Sequence, residues 1–320
     1  MTRLEESSPS LPGQPMHRRR VVATALALVS AAMPAFPLRA QAVGANAAAG
    51  DYAPTRGQEG KDVVWEPTPD AMVDRMLLLA GLKPSDTLID LGSGDGKIVI
   101  AAARAGARGV GVEFNPELVA LARQRANLAG VADRAHFEQG DIFTYDFSRA
   151  SVVTLYLLPK LNLRLRHRVL ALTPGTRVVS HSFDMGDWKA DEITYAGGAT
   201  AYLWIVPANA GGEWQLRFPL EGDEARALLQ IDQRFQHMEG VAIFRDFTAS
   251  LREPLLDGDR LRFALTDAQG HVRRFDGRLA GNEITGQVTQ GASSVPFSAR
   301  RATAEVPPIR GSEAVVVPGA

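Results

Sequence analysis

The chain has 320 residues and a formal net charge of −1, so its bulk electrostatics give no indication of a nucleic-acid-binding surface. It contains no cysteine, which excludes disulfides, thiol nucleophiles and cysteine metal sites. A hydrophobic fraction of 45% is ordinary for a globular protein, and this length allows roughly two domains of ~100–200 residues each.

The N-terminal residues have the three-part pattern of a secretory signal peptide. Three arginines at 18–20 precede an apolar run over residues 21–33, and Ala-Gln-Ala at 40–42 supplies a small-x-small cleavage site. The run is shorter than the ~20 residues that a spanning helix needs, so no stable membrane span is expected after cleavage. We predict a signal peptide over residues 1–42 and a periplasmic or secreted protein. Twin-arginine export fits the consecutive arginines, and a cytoplasmic protein is the alternative.

Alternating helices and strands are predicted beyond an Ala- and Gly-rich linker at residues 43–60. Apolar spacing predicts helices over residues 69–82, 97–105, 116–128 and 163–172, and apolar runs predict strands over residues 87–91, 109–113, 135–139, 151–157 and 176–181. Residues 192–194 and 201–206 can add a closing antiparallel pair. This alternation is typical of a parallel, doubly wound α/β sheet, which we assign to residues 61–208.

A second, all-β domain is predicted over residues 212–303, where alternation with period two replaces the helical pattern. Hairpin turns are expected at residues 267–270 and 280–283, so the domain is predicted to be a meander that forms a sandwich or a small barrel. The arginine pairs at 273–274 and 300–301 are expected on solvated edges. Residues 304–320 are predicted to be a flexible tail.

A glycine loop joins the first predicted strand to the next helix. It reads Asp90-Leu-Gly92-Ser-Gly94-Asp-Gly96. Glycines let the backbone approach a ligand, and the following helix N-terminus presents free N–H groups, as in nucleotide-type cofactor sites. Taken alone, this spacing is weak evidence, because a tight turn without any ligand has the same pattern.

Acidic residues at the ends of the next two strands make the motif more specific. Glu113 ends the second strand and Asp141 follows the third, so both are expected beside Asp90 at the carboxyl edge of the sheet. A carboxylate after the second strand can accept both ribose hydroxyls, and one after the third can accept from an adenine amine. Asp90 can help to hold an α-amino group.

These residues resemble the motifs of class I S-adenosylmethionine-dependent methyltransferases. The resemblance covers residues 61–208 and implies methyl transfer, with S-adenosyl-L-methionine as the cofactor. It implies that Phe114 packs on the adenine face and that Ile142 lends a backbone N–H to the ring. The cofactor-binding residues that it implies are Asp90, Gly92, Gly94, Gly96, Glu113, Phe114, Asp141 and Ile142. A site for NAD, which also uses an acid after the second strand, is the rival interpretation.

A narrower resemblance concerns the segments Val-Trp-Glu-Pro-Thr-Pro at 64–69 and Leu-Tyr-Leu-Leu-Pro at 155–159. Both are similar to segments of protein-lysine methyltransferases that act on mitochondrial carriers and on the ATP synthase c-subunit. The resemblance implies an acceptor site after the fourth strand, and it implies that Thr68 caps a helix near the methionine carboxylate. The expected acceptor is a protein lysine or a small molecule.

Candidates for gripping the acceptor follow the fourth and fifth strands. They are Tyr156, His181, Asp184 and Trp188, of which we predict Tyr156 and His181 as catalytic residues. No metal site is predicted. The alternative function is an exported, non-catalytic binding module that keeps the methyltransferase fold, with the β-domain binding a ligand or a partner.

Overall fold

The computed structural model describes residues 52–62, 64–220 and 222–315. They belong to one compact unit, which begins at Asp51. The predicted signal peptide lies outside the described residues. Among the helices of the described part, none is long and apolar enough to cross a membrane.

Helices and strands alternate through the first half of the described chain. The helices are α1 Asp70–Leu79, α2 Lys97–Arg104, α3 Pro116–Leu128 and α4 Pro159–Leu170. The strands are β1 Thr87–Leu91, β2 Arg108–Glu113, β3 Ala135–Gln139, β4 Val152–Leu155, β5 Arg177–His181, β6 Glu192–Ala196 and β7 Ala199–Ile205.

These seven strands form one sheet in the order β3-β2-β1-β4-β5-β7-β6. Strands β1 to β5 run parallel, and β7 lies antiparallel to both β5 and β6. Residues of α1, α2 and α3 share a buried core on one face of the sheet, whereas α4 belongs to a second core on the other face. The predicted doubly wound α/β sheet and its antiparallel closing pair are therefore confirmed.

Two helices begin where proline fixes the backbone. Asn115 caps α3 by accepting a hydrogen bond from the Glu117 N–H at 2.8 Å, and Pro116 occupies the first turn. Pro159 begins α4 in the same way, four residues before the predicted start at Leu163. Because α4 begins earlier than predicted, the connection between the end of β4 and the first turn of α4 is short.

The second half of the chain forms nine further strands. They are β8 Gly212–Leu220, β9 Asp223–Arg234, β10 His237–Ile243, β11 Thr248–Ser250, β12 Arg252–Asp257, β13 Arg260–Thr266, β14 Val272–Ala280, β15 Glu283–Gln290 and β16 Ser293–Arg301.

These nine strands form an antiparallel sheet with the order β11-β10-β9-β8-β16-β15-β14-β13-β12. Contacts of β10 with β12 and of β11 with β13 bring its two edges together, so the sheet curls into a nearly closed barrel. The predicted all-β, barrel-like fold is confirmed, and both predicted hairpin turns join consecutive strands.

One arginine of each predicted surface pair points inward. Arg273 and Arg301 are both buried, whereas Arg274 and Arg300 are exposed. Successive side chains of a strand point to opposite faces, so two adjacent arginines cannot both be solvated on a curled sheet. The expectation of solvated edges was therefore wrong for Arg273 and Arg301.

The two sheets share an interface within the compact unit. The Ala208 N–H donates to the Gly258 carbonyl at 2.8 Å, and Trp188 Nε1 donates to Gln236 Oε1 at 2.9 Å. Phe235, in the turn after β9, is buried in the core beneath the seven-stranded sheet. The predicted division into residues 61–208 and 212–303 stays a prediction.

Part of the predicted tail is held against this interface. Ile309 is buried, and Asn209 donates to the Pro307 carbonyl at 2.6 Å. The backbone of Arg310 pairs with that of Arg234 as an isolated β-bridge. Gly311 lies directly against the Phe235 ring. The expectation of a loose tail therefore fails for residues 307–311, which pack through Pro307 and Ile309.

The predicted linker also has structure in its described part. The Gly57 N–H donates to the Trp65 carbonyl and the Trp65 N–H donates to the Gln58 carbonyl, both at 2.9 Å. These two bonds fold residues 56–62 and 64–66 into a hairpin, which we call the N-terminal strap. The strap covers the carboxyl edge of the seven-stranded sheet.

Candidate functional site

A cleft of about 640 Å³ opens at the carboxyl ends of β1 to β4, beneath the N-terminal strap. Ligands of open α/β sheets bind at this edge, and the strand order reverses between β1 and β4. Predicted site residues that line the cleft are Thr68, Asp90, Gly92, Gly94, Glu113, Phe114, Asp141, Ile142 and Tyr156. Gly96 and His181 are not among the described residues that line it.

The glycine loop leaves room for Trp65 of the strap. Gly94 has φ +51°, and a Cβ built on it would lie 2.8 Å from Trp65 Nε1. A larger residue at this position would therefore strain the backbone and push the tryptophan away. The loop and the strap form one wall of the cleft.

Gly96 packs against the core under the sheet, and its predicted contact with a cofactor stays a prediction. It precedes α2 with φ +82°, and a Cβ built on it would lie 2.6 Å from Phe137 and 2.8 Å from Ala122. Both neighbours belong to the core under the sheet. The glycine lets α2 begin close to that core, which positions the loop before it.

Glu113 holds its carboxylate against two backbone amides. Its Oε2 accepts from the Gly94 N–H at 3.0 Å and its Oε1 accepts from the Asn115 N–H at 2.9 Å. These bonds link the end of β2 to the glycine loop and fix the orientation of the acid. The carboxylate still lines the cleft, so it can accept hydrogen bonds from a ligand there.

Asp90 is buried at the base of the cleft. Its Oδ1 accepts from Thr154 Oγ1 of β4 at 2.7 Å. Burial raises the pKa of this carboxyl to about 7, and the negative charges of Glu113 and Asp95 act in the same direction. A ligand that carries positive charge would stabilise the ionised form.

Asp141 and Phe114 share a cation, Lys61 of the strap. Lys61 Nζ lies 2.6 Å from Asp141 Oδ2 and 4.9 Å from the centroid of the Phe114 ring. The bond from Lys61 lowers the pKa of Asp141, and a bond from the Phe143 N–H at 2.9 Å acts in the same direction. The Phe114 ring is half exposed, so one face is open to a planar ligand.

Thr68 contacts His181 instead of capping a helix. Its Oγ1 lies 3.3 Å from His181 Nδ1, and α1 is preceded by Pro69 without a side-chain cap. The predicted capping role is therefore wrong: Asp70 begins α1 after Pro69, which leaves the Thr68 side chain to face β5. Thr68 still lines the cleft.

His181 lies behind Tyr156 rather than at the cleft surface. It is 2% exposed, and the centroids of the two rings are 3.9 Å apart. Burial lowers the pKa of His181, which favours the neutral imidazole. Burial also raises the pKa of Tyr156, so its phenol stays protonated. Tyr156 therefore lines the cleft, whereas His181 packs behind the tyrosine ring.

The loop after β5 is held in a strained conformation. Ser182 has φ +64°, which is unusual for a residue with a side chain. The buried Asn162 of α4 donates to the carbonyls of Phe183 and Asp184 at 3.1 and 3.2 Å. These bonds aim the Phe183 ring at the cleft, where it lies 6.4 Å from Tyr156.

Two further candidates for gripping the acceptor take other positions. Trp188 is buried beneath the sheet, where it stacks on Phe235 with the ring centroids 5.8 Å apart. Asp184 is exposed and its Oδ1 accepts from the Gly186 N–H at 3.0 Å. The structure therefore corrects the prediction for Trp188, whose apolar ring packs in the core.

Several residues of the cleft were not predicted from the sequence. Lys61, Trp65 and Glu66 enter it from the strap, which lacks a helical or strand pattern of its own. Glu66 pairs with Arg56, and this bond lowers the pKa of Glu66. The similarity of residues 64–69 to lysine methyltransferases is a signal that includes Trp65 and Glu66, whereas Lys61 lies outside that segment.

The cleft fits a cationic, nucleoside-bearing ligand. Acids stand at the ends of three neighbouring strands, and an open aromatic face lies beside one of them. The Ser93 hydroxyl in the glycine loop is buried against β2 and has no hydrogen-bond partner among the described residues. No cluster of metal-ligating side chains occurs in the described part of the chain. This fold and cleft define a class I S-adenosylmethionine-dependent methyltransferase.

Comparisons with known proteins give the family. The model of the ANTKMT methyltransferase domain matches residues 90–192. A protein-lysine N-methyltransferase of Saccharolobus islandicus (strain REY15A) is 38% identical over 151 residues, which cover 45% of this chain and 94% of that protein. The chain belongs to the ANTKMT methyltransferase family, with S-adenosyl-L-methionine as its methyl donor.

Two further matches differ in the share of their own length that is covered. A lysine N-methyltransferase of Mus musculus that is named for the ATP synthase c-subunit is 38% identical over 39% of this chain and 51% of that protein. A crystal structure of an RNA methyltransferase from Salinibacter ruber, in complex with S-adenosyl-L-homocysteine, shares 56% identity over 44% of this chain and 94% of that chain, with a TM-score of 0.44. The two relatives from Saccharolobus islandicus and Mus musculus are named as methyltransferases, so they give no support to a non-catalytic binding module.

Proposed function

We propose that this enzyme transfers the methyl group of S-adenosyl-L-methionine to the side-chain amine of a protein lysine. The observation that carries the proposal is the 38% identity to a protein-lysine N-methyltransferase along 94% of that protein's length. The similarity to lysine methyltransferases named for the ATP synthase c-subunit and for the adenine nucleotide translocase supports it.

We assign the cofactor contacts from the position of each acid in the cleft. Glu113 accepts from the ribose hydroxyls, Asp141 with Phe114 holds the adenine ring, and Asp90 with the glycine loop holds the methionine end. S-adenosyl-L-methionine supplies a methyl group on a positively charged sulfur, which is a reactive electrophile. The task left to the protein is to position the acceptor in line with that methyl group.

The acceptor amine enters beside Tyr156 in this proposal. Phe183, Leu157 and Leu158 line that part of the cleft with apolar surface, which favours the neutral form of an incoming amine. The protonated phenol of Tyr156 orients the nitrogen, and His181 and Thr68 hold the tyrosine ring. A neutral amine has the free lone pair that attack on the methyl group requires.

The proposal is tested by methyl transfer into a cell lysate with a labelled donor. Purified enzyme and S-adenosyl-L-methionine carrying a deuterated methyl group are expected to label lysines, read by mass spectrometry of peptides. Glu113→Gln is expected to lower transfer roughly tenfold or more at limiting donor, because a charge-assisted hydrogen bond is lost. Glu117→Gln is the control, since Glu117 lies in the first turn of α3, two residues beyond Asn115.

The same experiment separates the possible acceptors. Labelled lysine in the wild-type sample, but much less of it in the Glu113→Gln sample, supports the proposal. Label that appears only in RNA or only in small molecules contradicts a protein-lysine acceptor, although methyl transfer itself would stand.

We also propose that residues 1–42 direct export, on the pattern of arginines, apolar run and Ala-Gln-Ala site. Cleavage after Ala42 leaves a protein that begins at Val43. Intact mass measurement of cytoplasmic and periplasmic fractions tests this. A full-length mass found in the cytoplasm alone would contradict export.

A further inference from the structure

A second cavity lies at one end of the nine-stranded sheet, apart from the cofactor cleft. Its volume is about 470 Å³, within the range of small-molecule sites. It lies among the ends of β8 and β9, the β10–β11 turn and the β13–β14 turn. Four phenylalanines line it, namely Phe218, Phe244, Phe247 and Phe275. We call it the barrel cavity.

A single arginine is placed inside this aromatic wall. Arg273 lies on the inward face of β14, two residues before Phe275, and is 8% exposed. Its Nη1 donates to the Asp267 carboxylate of the β13–β14 turn. Both residues line the cavity. An ion pair in an aromatic interior is costly to desolvate, so its position calls for an explanation.

Asp267 has no acceptor capacity left for a ligand. Its Oδ1 accepts from the N–H groups of Gln269 and His271 at 3.0 and 2.8 Å. Its Oδ2 accepts from Arg273 and lies 3.2 Å from His271 Nδ1. Burial opposes the charge, but the bonds from Arg273 and His271 outweigh it and hold the pKa of Asp267 at about 2. A carboxylate has about four lone-pair sites, and these contacts occupy those of Asp267.

Arg273, in contrast, has donors to spare. A guanidinium carries five N–H groups in a planar fork. Among the described residues, the hydrogen bond from Nη1 to Asp267 is the one that Arg273 makes. The polar end of the cavity, which also includes Thr266, Gln269 and His271, therefore offers hydrogen-bond donors and the positive charge of Arg273. The rest of the wall is aromatic and aliphatic.

We propose that the barrel cavity binds an apolar carboxylate, with its acid group on the free edge of the Arg273 guanidinium and its apolar body among the phenylalanines. A fork of two N–H groups matches a carboxylate in shape and charge. A quaternary ammonium ligand, which aromatic walls also attract, is disfavoured because the acid is engaged and the arginine repels a cation.

The test is calorimetric titration of the full chain with 2-naphthylacetate, in the presence of saturating S-adenosyl-L-homocysteine to block the cofactor cleft. The neutral analogue 2-naphthylacetamide has the same apolar body without the charge. The carboxylate is expected to bind at least tenfold more tightly than the amide, because charge-assisted hydrogen bonds are stronger than neutral ones. Arg273→Met is expected to remove this difference.

Matched variants separate binding in the cavity from changes of surface charge and from misfolding. Arg274→Met deletes the neighbouring exposed charge and is expected to leave the affinity unchanged. If Arg273→Met fails to fold, the double variant D267N/R273M removes the buried pair together. Ala225→Trp fills the cavity without touching the ion pair and is expected to abolish binding.

The outcomes are decisive in both directions. Equal affinity for the carboxylate and the amide, unchanged affinity in the Ala225→Trp variant, or no heat with either compound would overturn the proposal. The experiment measures binding rather than methyl transfer. Its result therefore tests the barrel cavity independently of the proposed lysine methylation.

Discussion

Asp90 combines a proposed binding role with a cost in stability. Asp90 is 3% exposed, and its carboxyl accepts one side-chain hydrogen bond, from Thr154, with the acids Glu113 and Asp95 nearby. Burial raises its pKa from 3.8 to about 7. In the unfolded chain the group ionises above pH ~4, whereas the folded protein keeps the proton until about pH 7. Ionisation therefore reduces the stability of the fold as the pH rises through this window.

The variant Asp90→Asn stays neutral at every pH and isolates this effect. We expect it to be more stable than the wild type by about 2–4 kcal/mol at pH 8, and close to the wild type near pH 4. Urea unfolding of both proteins at the two pH values measures the difference.

The test compares the free energies of unfolding of the two proteins at each pH, because other groups titrate in both proteins and change both free energies. A constant gap at both pH values would contradict the raised pKa of Asp90. The same variant is expected to bind S-adenosyl-L-homocysteine less tightly, because an amide cannot supply the negative charge that the methionine ammonium attracts.

At the scale of elements, the glycine loop and the N-terminal strap act as one wall. Gly94 permits Trp65 to lie against the loop, and the Gly94 N–H donates to the Glu113 carboxylate. An alanine at this position would meet the tryptophan at 2.8 Å in a backbone conformation that favours glycine. The strap would then move away from the cleft.

Gly94→Ala is therefore expected to weaken S-adenosyl-L-homocysteine binding roughly tenfold or more, measured by calorimetry. Backbone strain alone in the left-handed region costs about 1–2 kcal/mol per residue. Gly130→Ala is the matched control, because Gly130 has φ +68° and nothing within 4 Å of its Cβ position.

Gly130→Ala should lose stability while keeping its affinity for the ligand. Similar losses of affinity in both variants would show that general strain, and not the contact with Trp65, governs binding.

Elements with a clear local signal were predictable from the sequence. Strands β1 and β3 begin and end at the predicted residues, because each is a short apolar or alternating run bounded by turn residues. The acids after β1, β2 and β3 were predicted to meet because parallel strands share a carboxyl edge. The strap was not predicted, since its place in the cleft depends on contacts distant in the chain, such as Lys61 with Asp141.

Some sequence predictions were wrong because another physical effect outweighed the hydrophobic spacing or the charge on which they were based. The start of α4 was placed at Leu163 from apolar spacing, whereas Pro159 supplies the helical backbone angle four residues earlier. Arg273 was expected at the surface from its charge, although strand alternation with Phe275 places it inside. His181 was predicted to touch substrate, but its depth behind Tyr156 depends on packing that spacing alone does not encode.

At the scale of the whole molecule, the two sheets are coupled through one buried aromatic. Phe235 is 1% exposed and lies in the turn after β9, yet it belongs to the core beneath the seven-stranded sheet. It stacks on Trp188, and Gly311 of the C-terminal segment covers the ring. Because each sheet contributes to burying the other, we expect the compact unit to unfold in a single transition.

Phe235→Ala is expected to cost about 3–5 kcal/mol, as for other large-to-small changes in cores, and to uncouple the sheets. Urea unfolding followed by helical circular dichroism reports on the seven-stranded half, and pulsed hydrogen exchange of the amides of β8 to β16 reports on the nine-stranded sheet. The two transitions should coincide in the wild type and separate in the variant. Phe263→Ala is the control, because Phe263 is also buried but belongs to the core of the nine-stranded sheet. It should lower the stability while both signals still change together, since the joint between the sheets is intact. Coincident transitions in Phe235→Ala would place the coupling elsewhere in the interface, at the hydrogen bonds of Ala208 with Gly258 and of Trp188 with Gln236.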